Sequence, residues 1–167
     1  MKYPFSIPLL WFALLTGTPA LSADYQTGVE ASLRRDFARA FQEWEPLAQQ
    51  GDASSQFQLG WLYMEGHGVQ QDLEQGVKWY MRSAEQGYAF AQTALGRLYE
   101  GGRGVQQNYP MAYMWYSVAA SSWDKDAHKD RDRVAQLMTS AQRTEGQQLI
   151  QKWNAGDRAQ SLGVMDQ

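Results

Sequence analysis

The sequence predicts an all-α protein, a solenoid of stacked antiparallel helix pairs with a C-terminal capping helix. Three observations carry that prediction. The segment Gly66-His67-Gly68-Val69-Gln70-Gln71-Asp72 returns 36 residues later as Gly102-Arg103-Gly104-Val105-Gln106-Gln107-Asn108, a period typical of repeat architectures. Within each period the apolar residues recur at helical spacing and not at the alternation of a strand. Finally, 44% of the 167 residues are hydrophobic and none is cysteine. The core must therefore form by packing alone, without disulfides or a thiolate metal site.

The 36-residue offset holds from Asp36/Asp72 to Gln71/Gln107, with about fifteen of the thirty-six positions identical. Each unit, taken as 36–71 and 72–107, divides into two helices. Asp36, Asp72 and Asn108 occupy one repeat position and can each accept from the orphan N–H groups that start helix A. Its stripe runs Phe37, Phe41, Trp44, Ala48, then Leu73, Val77, Tyr80, Ala84, then Tyr109, Tyr113, Tyr116, Ala120, one face of a helix. Gly51 and Gly87 end it, where a left-handed residue is wanted. Helix B follows with Gln56, Leu59, Gly60 and Tyr63, echoed by Gln92, Leu95, Gly96 and Tyr99. Glycine inside a helix costs about 1 kcal/mol, so its recurrence at 60 and 96 implies a neighbour packed too close for a side chain.

The ends are atypical. Val29 to Leu33 is read as a short leading helix, and Pro46 as a kink in the first helix A. The third unit, 108–138, starts correctly and then degenerates, with Ser121-Ser122-Trp123 standing where Glu85-Gln86-Gly87 was. Thr139 and Gln142 have the spacing of a capping box for a last helix over 139–155, and 157–167 is read as a flexible tail. Met1 to Ala23 has the pattern of a cleavable signal peptide: Lys2, an apolar run from Phe5 to Leu15, then small residues. That run is too short to span a membrane, so a periplasmic or secreted location is expected. The solenoid domain is then 24–156.

These residues resemble the Sel-one-like repeat family, a branch of the tetratricopeptide-like solenoids. The resemblance rests on Trp79-Tyr80 and Trp115-Tyr116, Ala84-Glu85-Gln86-Gly87, Ala91-Gln92, Leu95-Gly96, Tyr99 and Gly102-x-Gly104-Val105. It implies a right-handed superhelix and a role as an adaptor, regulator or immunity-type inhibitor that binds another protein. A cysteine-rich bacterial subgroup is linked to penicillin binding and weak β-lactam hydrolysis; this chain lacks its cysteines.

Composition and motifs narrow the function in the same direction. The net charge of −3 without a Lys/Arg run excludes a nucleic-acid partner of the usual kind. No HExxH, P-loop or nucleophile elbow is present. His67 shares its repeat position with Arg103, and His128 lies in a mixed-charge run; both are read as solvated. No cofactor is expected. The expected partner is a periplasmic or envelope-associated protein, and the oligomeric state is open. An envelope-glycan binder is the alternative, and a cell-wall or β-lactam-acting enzyme a more distant one.

Candidate binding residues come from ladders of equivalent positions. With helix A on the concave side, Glu43, Trp79 and Trp115 form one ladder; Gln42, Lys78 and Met114 form a second, and Arg39, Gln75 and Met111 a third. Trp61 faces Arg97 at the 36-residue offset, and Phe90 faces Ser54. Such replacements are not required by a repeat core, and Trp and Arg are enriched at binding hot spots. The candidates are therefore Trp79, Trp115, Lys78, Trp61, Phe90 and Arg97.

Overall fold

The computed structural model describes residues 24–121 and 125–157. The signal-peptide reading of 1–23 lies outside them, as do Ser122, Trp123 and the tail from 158 onward. The described residues form α1 (Tyr25–Leu33), α2 (Phe37–Gln49), α3 (Ala53–Glu65), α4 (Leu73–Glu85), α5 (Ala89–Gly101), α6 (Tyr109–Ser121), α7 (Lys125–Leu137) and α8 (Ser140–Asn154). The protein is an all-helical solenoid, and among the described residues no helix is long and apolar enough to cross a membrane.

The helix starts follow local chemistry. Asp36, Asp72 and Asn108 accept from the backbone N–H of Arg39, Gln75 and Met111 at 3.2, 2.9 and 2.9 Å. Thr139 and Gln142 form a reciprocal capping box on α8. Gly51 and Gly87 follow α2 and α4 at φ +100° and +88°, the left-handed region open to glycine. Pro46 sits in the last turn of α2, which runs on to Gln49.

Packing pairs α3 with α4 and α5 with α6 most extensively, while α8 returns onto α6. The hairpin unit therefore begins at α3 and α5, half a repeat later than the unit read from Asp36. The lock within each hairpin is a glycine under an aromatic ring. A Cβ on Gly60 would stand 2.5 Å from the Tyr80 ring, and one on Gly96 would stand 2.6 Å from the Tyr116 ring. Gly28 lies in the same way beneath Trp44, whose Nε1 donates to the Tyr25 carbonyl at 3.2 Å. The leading helix is thus longer than Val29–Leu33, and α1–α2 is a shortened copy of the same hairpin. Its connecting turn is four residues shorter and passes through Arg35 at φ +62°.

Between hairpins the bonds repeat too. The buried Gln56 and Gln92 amides donate to the Ala48 and Ala84 carbonyls at 3.0 and 3.1 Å. They add a second bond to carbonyls that already accept from the Gly51 and Gly87 backbone N–H groups at the ends of α2 and α4. Gln71 and Gln107 donate to the Met64 and Glu100 carbonyls at 2.8 and 2.9 Å, closing the turns after α3 and α5.

Candidate functional site

α3 and α5 carry one face that their hairpin partners do not cover, and a groove of about 520 Å³ runs over it, with Tyr80 of α4 and Asp126 of α7 contributing to its wall. On α3, Phe57 and Trp61 stand one turn apart and project to the same side. The Phe57 ring lies 5.3 Å from Tyr80, 5.4 Å from Tyr88 and 6.2 Å from Phe90. Phe90, in the first turn of α5, leans on that cluster yet keeps 64% of its surface exposed. Trp61 meets Phe37 edge-on at 5.6 Å and His67 at 4.9 Å, while His67 stacks on Phe37 at 4.4 Å. The turn histidine therefore acts as a shim that fixes the Trp61 ring.

The rest of the groove is ionic. Arg103 reaches back one unit, its Nη1 donating to Glu65 at 2.9 Å and its Nη2 to the Met64 carbonyl at 2.8 Å. A cation there also suits the negative end of the α3 dipole. Arg97 pairs with Asp130 of α7 at 3.6 Å. Asp130 accepts from Arg133 at 2.9 Å, and Arg133 grips both oxygens of Glu100. The Tyr116 hydroxyl donates to Glu100 at 2.9 Å. The Arg133 bonds hold the Glu100 carboxyl below its usual range, against the opposing effect of partial burial. Burial first, and donation to Glu100 second, push the Tyr116 hydroxyl up. This chain of charges braces α7 against α5 and α6.

Three of the six candidates, Trp61, Phe90 and Arg97, meet in this groove. Lys78 is exposed on α4, outside it. Trp79 is half-buried against the cluster that holds Ala40, Trp44, Leu59 and Leu62, with the Arg82 guanidinium 4.7 Å above its ring. Trp115 is fully buried and packs edge-on against Trp153 at 4.9 Å, so it is not a partner-binding residue. Met111 and Met114 are buried as well. The ladders on α2, α4 and α6 therefore do not line the groove, which belongs to α3 and α5. For α6 the physical reason is α8. Since α6 is apolar on every face, it must be covered on every face, and α8 supplies the cover.

Sequence reasoning missed Phe57, Tyr80, Arg103 and the Glu100–Arg133–Asp130 chain. Phe57 was within reach, because it faces Thr93 at the same offset that exposed Trp61 and Phe90. His128 is exposed, and among the described residues no group of His, Cys, Asp or Glu is placed to hold a metal ion.

Comparison with known proteins agrees with this architecture. The Sel1 repeat family model matches residues 53–88 and 89–122, the two hairpins α3–α4 and α5–α6. The crystal structure of c5321, a protective antigen of uropathogenic Escherichia coli with an SLR fold, superposes with a TM-score of 0.74 at 25% identity. That match covers 86% of this chain and 32% of c5321. A Sel1 repeat protein from Oxalobacter formigenes superposes with a TM-score of 0.62 at 32% identity, over 65% of this chain and 44% of its own. The chain thus spans less than half the length of either. No curated protein matches it. The chain thus carries two Sel1 repeats and shares the fold of Sel1-like repeat α-solenoids, proteins that generally mediate protein–protein interaction.

Proposed function

We propose that the chain is a non-catalytic, exported protein-interaction module that binds a segment of a periplasmic or envelope-associated partner in the groove over α3 and α5. It serves there as an adaptor, a regulator or an immunity-type inhibitor. One observation carries the reading: Phe90 stands 64% exposed at a groove that also holds Trp61 and Arg97. An exposed ring beside a rigid aromatic bed is the composition of a binding hot spot. The apolar start of the chain, from Phe5 to Leu15, supports the exported location.

The test is recovery of partners by the tagged full chain in its native host, after gentle crosslinking and fractionation. One stoichiometric protein is expected in the periplasmic fraction. Phe90→Ser, which installs the residue of the equivalent position 54, should lose that protein while melting like the wild type. Undiminished recovery by Phe90→Ser would reject the groove, and a chain confined to the cytosol would reject the compartment.

A further inference from the structure

The ion pairs around the groove are asymmetric in depth. In each, the carboxylate is the more enclosed end and the guanidinium the more exposed one. Arg97 is 66% exposed over Asp130 at 21%, Arg133 is 49% exposed over Glu100 at 19%, and Arg103 is 46% exposed over Glu65 at 37%. Asp126, the remaining charged residue of the lining, is exposed but holds the Lys129 ammonium at 3.3 Å. The formal charges nearly cancel, yet the exposed charge on α5 itself is the Arg97 guanidinium, while Asp126 of α7 keeps an exposed carboxylate paired to Lys129.

Arg97 is the least committed of these groups. Its ion pair with Asp130 spans 3.6 Å, longer than a hydrogen bond to a carboxylate, whereas Arg103 and Arg133 each make close donor contacts. Arg97 also lies seven residues after Phe90 on α5, two helical turns along one face and about 10 Å away. Any segment that covers Phe90 and Trp61 therefore comes to cover Arg97. Covering a guanidinium without giving its N–H groups acceptors is strongly unfavourable.

We propose that the partner segment is acidic–apolar: a large apolar side chain seats among Phe57, Trp61 and Phe90, and a carboxylate about 10 Å further on takes the N–H groups of Arg97. In an extended peptide that separation is about three residues. Arg103, anchored by Glu65 and the Met64 carbonyl, adds positive potential without moving. This inference rests on the groove being the partner site, and it adds the chemistry of what enters.

The experiment is to pan a phage-displayed random dodecamer library on the full chain and to measure the enriched peptides by fluorescence anisotropy. Enriched sequences are expected to pair a large apolar residue with Asp or Glu about three positions away. Changing that acid to its amide should weaken binding about tenfold. On Arg97→Gln the acid and amide peptides should bind alike, with the melting temperature unchanged. Enriched peptides that lose binding on Phe90→Ser but show no acidic preference, or keep it on Arg97→Gln, would overturn this inference and leave the groove standing. Peptides that bind Phe90→Ser as tightly as wild type, or a library with no enriched sequence, would overturn the groove and the inference together.

Discussion

The hairpins α3–α4 and α5–α6 share a backbone design and differ in what they show to solvent. Both lock a helical glycine under a tyrosine, Gly60 under Tyr80 and Gly96 under Tyr116, and both bind the preceding hairpin through a buried glutamine. Their outward positions then diverge. The first presents Phe57 and Trp61, with His67 edge-on to the Trp61 ring; at the equivalent positions the second has a buried Thr93 and an exposed Arg97, with Arg103 ion-paired to Glu65. Identity between the repeats marks what the fold needs, and, with the groove as the proposed site, divergence marks what a partner would read. The two tryptophans of the Trp-Tyr pairs qualify that rule. Trp79 is half-buried and Trp115 fully so, because α8 covers one hairpin and not the other.

The largest effect should separate those two tryptophans. Trp115→Ala removes a fully buried ring that packs on Trp153 and should cost about 4 kcal/mol; Trp79→Ala should cost about half that. Urea melts of both variants check it, and equal losses would refute the covering role given to α8. Next comes the lock. Gly60→Ala and Gly96→Ala each force a Cβ against a tyrosine ring and should cost about 2–3 kcal/mol. Gly51→Ala meets no atom within 4 Å and bears only its φ of +100°, at about 1 kcal/mol. Equal melting temperatures for all three would dismiss the glycine–aromatic contact as the reason for glycine.

A smaller effect tests the ionic side. Glu100 has a folded pKa below the 4.5 of the free group. Its contribution is therefore complete above about pH 5 and is lost as pH falls through the folded value. Glu100→Gln should be about 1 kcal/mol less stable than wild type at neutral pH, and the gap should close in acid. A gap that widens in acid would reverse the sign argued here. Smallest in stability is Phe90→Ser, within about 0.5 kcal/mol of wild type, although it removes the exposed anchor of the groove. A large loss of stability would make Phe90 a packing residue.

The helices were legible because their signals are local. Asp36, Asp72, Asn108 and the Thr139–Gln142 pair act within one turn, and the 36-residue offset repeats the stripe. The hairpin phase was not legible, since a period says how far to shift and not where a unit starts. The α1–α2 hairpin escaped for a related reason: its turn is four residues shorter, so Gly28 falls out of register with Gly60 and Gly96. Trp115 was misjudged because its cover, Trp153, comes from beyond the periodic region. Trp61, Phe90 and Arg97 were found by asking where the repeats disagree, and the same question put to Phe57 would have found the floor of the groove.

The interlocked hairpins also make length an adjustable quantity. Each glycine–aromatic lock is internal to one hairpin, and each buried glutamine reaches back only one hairpin, so a duplicated unit inserted in frame would carry its own lock and its own glutamine. A second copy of residues 53–88 placed after Tyr88 would set another Phe57–Trp61 pair beside the first. The groove would lengthen by one aromatic step, and the copied α4 would meet α5 as α4 does now. A chain built this way can follow a partner that grows.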